Sequence, residues 1–178
     1  MNFIADDLIH GENFQIGKFC VIEDGCEFGD NVTIENYTHI RKGVKIGNNS
    51  LVGNYCEIGE SNLIGDNVII QGRNRTALSC VFENDVTVKY GTILTSHVLL
   101  KKNSFLGPNV ITLGSTHQRE TIHGTIIGEN SYIGAGSKIL CGVNVCSDVA
   151  IGALSFINKD VKEKGIYAGI PTRFLKEK

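Results

Sequence analysis

The chain has 178 residues, enough for one domain, with 17 Lys and Arg against 19 Asp and Glu. A net charge of −2 with scattered cations excludes the basic stripe of a nucleic-acid binder. No apolar run reaches the about 18 residues of a membrane-spanning helix, and Met1 to His10 carries Asp6 and Asp7 where a secretory leader would be apolar, so a cytoplasmic protein is expected.

From Ile16 a large apolar residue returns at every sixth position: Ile22, Phe28, Ile34, Ile40, Ile46, Val52, Ile58, Ile64 and Ile70. Thr76 is a polar exception, and the same phase then carries Phe82, Val88, Leu94, Leu100 and Leu106. A second run follows through Ile127, Ile133, Ile139, Val145, Ile151 and Ile157. Neither a helix (period 3.6) nor a lone strand (period 2) has a period of six. A triangular column does: each side is a short strand, each edge a turn, and three hexapeptides close one coil. Four residues after each large one stands a small or β-branched residue, such as Cys20, Cys26, Val32, Thr38, Cys56 or Cys80, suited to a tightly stacked interior. Asn62 and Asn74 share that slot and are expected to be buried amides with hydrogen-bond partners. The position after the large residue is often Gly (Gly17, Gly29, Gly59, Gly134), which predicts a turn where a Cβ would crowd the chain or φ turns positive.

The two runs predict an all-β solenoid of about seven coils, about 35 Å tall at roughly 4.8 Å per coil. The column is expected over 1–162, with a separate tail at 163–178. The six Cys are expected to be buried thiols, because no Cys-x-x-Cys pair occurs.

The repeat fails twice, and failures of pattern mark function. The segment 112–126, containing Ser115-Thr116-His117-Gln118-Arg119-Glu120 and His123, is expected to loop out of the column. The tail Gly165-Ile-Tyr-Ala-Gly-Ile-Pro171-Thr-Arg-Phe-Leu supplies cations at Arg173, Lys176 and Lys178.

The repeat, with Ile127-Gly-Glu-Asn-Ser-Tyr-Ile-Gly-Ala-Gly-Ser-Lys-Ile-Leu, Ile151-Gly-Ala-Leu-Ser-Phe-Ile-Asn-Lys-Asp-Val and Tyr167-Ala-Gly-Ile-Pro-Thr-Arg, resembles the hexapeptide-repeat acyltransferases. Within them it is most similar to the sugar and polysaccharide O-acetyltransferases. That resemblance implies a left-handed parallel β-helix, a homotrimer and acetyl-CoA as co-substrate, with no metal. It implies His117 as general base, with the backbone of Ala135 and Ala153 toward the pantetheine arm. It implies Asn158 and Lys159 flanking the CoA, with Arg173 and Lys176 at the nucleotide phosphates. The acceptor implied is a sugar or nucleotide sugar.

Two positions depart from the pattern: Gln118 stands where Pro usually follows the base, and Thr172-Arg173 replaces the usual Ala-Lys of the tail. The stretch Val81-Phe-Glu-Asn-Asp85 resembles part of the nucleotide-aminosugar N-acetyltransferases, which keeps that reading as an alternative. Asn84 within it, His97 and Glu120 are candidate substrate-binding residues, and Glu120 is also placed to orient His117.

The chemistry suits these residue types. A sugar hydroxyl does not ionise near pH 7, and a neutral imidazole takes its proton during attack. Two further readings share the fold: a γ-type carbonic anhydrase, which needs three good zinc ligands where only His117 and His123 are close in sequence, and a non-catalytic structural subunit.

Overall fold

The computed structural model describes residues 1–115, 118 and 124–177. Among these the chain forms strands and turns, mostly strands of two residues, stacked in parallel into three sheets. Each coil visits face I, face II and face III in turn. Face I runs from Phe3–Ile4 through Val21–Ile22 and on to Phe156–Ile157, nine strands in all. Face II begins at Ile9–His10 and has eight. Face III begins at Gln15–Ile16 and has ten, the last two from the tail.

The register is the repeat made physical. Ile4 pairs with Ile22, Ile22 with Ile40 and Ile40 with Ile58, so each large residue stacks on its equivalent one coil away. These side chains fill the column from Ile22 to Ile157 and are essentially inaccessible. The small slot does a second job where it is polar. Its side chain donates to a carbonyl fifteen residues on: Thr38 Oγ1 to Gly53 at 2.7 Å, Ser50 Oγ to Gly65 at 2.9 Å, Cys56 Sγ to Gln71 at 3.1 Å and Cys80 Sγ to Thr95 at 3.1 Å. Asn62 Nδ2 donates in the same way to Ala77 at 2.7 Å, and Asn74 Oδ1 accepts from the Thr92 amide at 2.6 Å. Cys, Ser, Thr and Asn therefore stand there as donors to turn carbonyls as well as compact fillers. All six Cys are free thiols.

The column is longer than the sequence pattern gave: about nine turns rather than about seven. One extra coil lies at the start, where His10 occupies a large slot and Ile4 is 39% exposed at the open end of the stack. The other comes from the interruption. Thr112 and Ile126 are strand residues, in Ile111–Thr112 and Ile126–Ile127, so the excursion spans 113–125 and no coil is lost. Thr112 hid its strand by putting a hydroxyl in the large slot. It is buried nonetheless, accepting from the Thr95 amide at 2.8 Å, as Thr76 accepts from that of Gly59 at 3.0 Å.

The turn rule also splits in two. Gly after the large residue answers crowding: a Cβ on Gly59 would lie 2.3 Å from the Ala77 carbonyl oxygen. Positive φ falls two residues later, at Asn31, Asn49, Tyr37, Tyr55 and their equivalents. Between faces II and III this slot is a ladder of side-chain amides, with Asn13 to Asn31 at 2.9 Å and Asn31 to Asn49 at 3.0 Å. Asn tolerates the left-handed region, which explains its use.

After Val161 the chain leaves the repeat. Gly165–Ala168 continues face III in parallel, and Arg173–Lys176 folds back antiparallel against it. Thr172 returns to face I, its amide donating to the Phe156 carbonyl at 2.9 Å.

Candidate active site

The excursion leaves the column at the edge between faces I and II. The strand-to-strand step there is fifteen residues in place of the usual six. His117, Arg119, Glu120 and His123 lie outside the described residues, so the site is built from what surrounds them. Directly below, one coil earlier, the same edge carries Thr95-Ser96-His97. Thr95 is tied to the base of the excursion twice, by its amide to Thr112 Oγ1 and by the two hydroxyls at 2.9 Å. His97 is exposed, its amide held by the Leu78 carbonyl at 2.9 Å. A Cβ built on Gly124, where the chain returns, would lie 4.0 Å from the His97 carbonyl oxygen. Sequence and topology thus place His97 at the foot of the segment that holds His117.

From this edge a groove of about 490 Å³ runs along face I toward the N-terminus, lined by Arg41, Glu57, Arg75, Leu78, Ile93 and Thr95 among others. Glu57 organises it, receiving Arg41 at 2.6 and 3.0 Å and Arg75 at 3.2 Å. The Arg41 hydrogen bond, helped by the charges of Arg75 and Arg41, holds the Glu57 carboxyl below the usual carboxylate range against the opposing effect of burial. None of these three side chains is visible in the repeat logic, because all point outward.

Toward the C-terminus, face I is flanked by the other predicted residues. Ala135 and Ala153 stack one coil apart at the edge between faces III and I. In the same slot of earlier coils the amide is capped by a side chain one coil on: Lys18 by Asn36 Oδ1 at 2.8 Å, Asn36 by Asn54 Oδ1 at 3.2 Å. Above Ala135 stands Ala153, which has no side-chain acceptor, so the Ala135 amide lacks the cap that Lys18 and Asn36 have. Gly134 makes this packing close: a Cβ there would fall 2.4 Å from the Ala153 nitrogen. Asn158 and Lys159 are exposed on the opposite side of the same face.

Lys159 and Arg173 meet in a cavity of about 260 Å³, with Asp160, Val161, Tyr167, Thr172 and Phe174. Tyr167 and Phe174 pack edge to face, centroids 5.3 Å apart, and the Tyr167 hydroxyl donates to the Glu163 carbonyl at 2.8 Å. Tyr167 and Thr172 belong to the tail motif of the sequence but, like Phe174, are not assigned to the site by it, because the tail carries no repeat that places them beside Lys159. Lys176, exposed at the far end of its strand, does not line this cavity. Asn84 stands apart as well, on the edge between faces II and III, where its Oδ1 caps the Asp66 amide at 3.0 Å. Among the described residues no three His, Cys, Asp or Glu side chains are grouped to hold a metal ion.

The family description "Bacterial transferase hexapeptide (six repeats)" matches residues 25–60. A serine acetyltransferase of Staphylococcus epidermidis is 34% identical over 85 residues, which is 45% of this chain. The chain spans 40% of that relative's length. Among solved structures, a UDP-N-acetylglucosamine acyltransferase superposes with a TM-score of 0.67 at 18% identity, over 97% of this chain and 70% of that one. AntD, an N-acyltransferase from Bacillus cereus in complex with dTDP-4-amino-4,6-dideoxyglucose and coenzyme A, gives 0.63 at 20% identity, over 72% and 83%. Residues 25–60 carry the repeat of that family description, and the chain has the parallel β-helix fold of these solved acyltransferases.

Proposed function

We propose that the protein is an acyl-CoA-dependent acyltransferase that moves an acetyl group to a sugar or nucleotide-sugar hydroxyl. The observation that carries this is the single interrupted edge: nine residues beyond the usual step, containing His117, inserted above His97 and between an acceptor-sized groove and the C-terminal coils. The residues present suit the thioester co-substrate. The Ala135 and Ala153 amides lack the side-chain caps of Lys18 and Asn36 and can donate to an extended amide-bearing arm. Lys159 and Arg173, at one cavity, supply charge for phosphates. Asn158 adds a polar group beside them, and Lys176 adds a more distant cation.

His117 accepts the acceptor's proton as the hydroxyl oxygen attacks the thioester carbonyl. The carbon–sulfur bond then breaks, and the proton passes from the imidazole to the departing thiolate. A base so placed contributes roughly 10² to 10⁴ in rate. Glu120 is assigned to orient it and His97 to line the acceptor's path. The guanidinium groups of Arg41 and Arg75 suit hydroxyl or phosphate oxygens in the groove. The same proposal includes assembly as a homotrimer and action in the cytoplasm. An amine acceptor is the second reading, favoured by the likeness to AntD.

The test is free-thiol release from acetyl-CoA across a panel of sugars and nucleotide sugars in matched hydroxyl and amine forms. Turnover with a hydroxyl sugar supports the reading, and turnover with amine forms alone replaces it with N-acetylation. Failure of every sugar to stimulate thiol release, with acetyl-CoA bound, overturns the acceptor class.

A further inference from the structure

Among the described residues two large slots of the column hold a hydroxyl, Thr76 and Thr112, and only Thr112 faces a second one. Thr112 is 1% exposed. Thr95, one coil earlier, is half-buried and lines the groove on face I. Thr112 Oγ1 accepts the Thr95 amide at 2.8 Å and lies 2.9 Å from Thr95 Oγ1. Which hydroxyl donates in that pair follows from the partners each has. The Thr112 proton has one acceptor in reach, Thr95 Oγ1. The reverse arrangement would leave a buried proton without a partner, so Thr112 donates. The Thr95 proton is then left over. The acceptor that remains to it is the Leu113 carbonyl at 3.5 Å, beyond the range of a good hydrogen bond.

The side chain that carries this proton is fixed. Thr is β-branched and stiff at its first torsion. Its methyl packs toward the start of the excursion, where a Cβ on Gly114 would fall 3.2 Å from Thr95 Cγ2. Beside it in the groove stand Ile93 and Leu78, 41% and 45% exposed. The column does not require a hydroxyl here. Gly59 and Ala77 hold the same slot in the two preceding coils, and Thr76 accepts the Gly59 amide with no hydroxyl opposite.

We infer that the Thr95 hydroxyl is the specificity-determining donor of the acceptor site, bonding the sugar oxygen next to the hydroxyl that attacks. The inference rests on the acyl-transfer reading. Thr95 lies one coil, about 4.8 Å, below the strand from which the excursion leaves. The Arg75, Glu57 and Arg41 side chains start one, two and three coils further down, where they meet the remote part of the same acceptor. A neutral donor between two apolar side chains suits an uncharged oxygen on a ring whose C–H face rests on Ile93 and Leu78. A sugar with C–H in place of that oxygen leaves the Thr95 proton unpaired, which is how such a site rejects it.

The test measures thiol release by the parent, Thr95→Val and Thr95→Ser with the sugar that turns over best and with its monodeoxy analogues. The parent should prefer the sugar at least ten-fold over the analogue lacking the oxygen next to the acetylated position. Thr95→Val keeps the shape and the amide bonded to Thr112. It should lose at least ten-fold in kcat/KM on the sugar, more in KM than in kcat, and its preference should fall below three-fold. Thr95→Ser should restore the preference. Acetyl-CoA affinity and acceptor-free hydrolysis of acetyl-CoA should not change. A folded Thr95→Val with the parent's preference overturns the inference. So does a parallel fall in acceptor-free hydrolysis, which would place the hydroxyl on the thioester instead. If Thr95→Val does not fold, Thr95→Ala takes its place with the same outcomes, because Ala77 already occupies that slot one coil below. Turnover of no sugar overturns the function reading and this inference together, whereas turnover with an unaltered preference overturns this inference alone.

Discussion

Replacing Thr112 by Val removes one hydroxyl and changes shape very little. That hydroxyl sits in the large slot, accepts from the Thr95 amide at 2.8 Å and pairs with the Thr95 hydroxyl at 2.9 Å. Without it the Thr95 amide is left without its acceptor at the foot of the excursion, which costs about 1–3 kcal/mol. The added methyl recovers at most about 0.8 kcal/mol of apolar burial. The net loss is about 0.2–3 kcal/mol, centred near 1.5 kcal/mol, or a fall in Tm of roughly 3–6 °C at the centre for a chain of this size. Thr76→Val is the control, because it strips the same kind of bond, at 3.0 Å, from Gly59 two coils below. Both variants should melt lower by similar amounts. Only Thr112→Val should also reduce turnover, by roughly ten-fold, because Thr95 and Leu113 bracket the site. Calorimetry and thiol-release kinetics on the pair make the measurement. Equal turnover in the two variants would refute the idea that this edge positions the reacting groups, and an unchanged Tm in both would refute the hydrogen-bond argument.

Other outcomes follow from the same geometry. Arg173→Ala should weaken CoA at least five-fold while leaving phosphate-free pantetheine unchanged, as read by titration calorimetry; equal loss for both removes Arg173 from the phosphates. Gly134→Ala drives a Cβ to within 2.4 Å of the Ala153 nitrogen. It should cost about 1–3 kcal/mol and abolish CoA binding in a chain that still melts cooperatively, whereas full CoA affinity would clear the Ala135 and Ala153 amides of any role. Burial holds the Cys56 and Cys80 thiols at about 11, against 9.0 for the free group. Stability from these raised values is fully present below pH 9 and is lost as pH rises through 11, up to roughly 2–3 kcal/mol for each thiol. The double variant Cys56→Val, Cys80→Val should flatten that limb of the stability curve, and an identical limb in both proteins contradicts the assignment.

The column was legible because its logic is one-dimensional: Ile22, Ile40 and Ile58 differ by one coil and meet the same surroundings. Legibility failed where chemistry departed from the slot. His10 and Thr112 hid a strand each because a polar group stood in an apolar position. The cavity at Lys159 and Arg173 depends on an antiparallel return that no period announces. The Arg41–Glu57–Arg75 cluster and the Thr95 hydroxyl both use outward positions, on which the repeat places no constraint. The interrupted edge was readable as a location, and the imidazole it carries was readable only through resemblance.

The most direct test of the account is acetyl-CoA turnover by the His117→Ala variant, with CoA affinity measured on the same preparation. The account predicts a fall in turnover of at least about a hundred-fold, the scale of a lost general base, with CoA bound as tightly as by the parent. Turnover within a few-fold of the parent would contradict it and remove the imidazole from the chemistry.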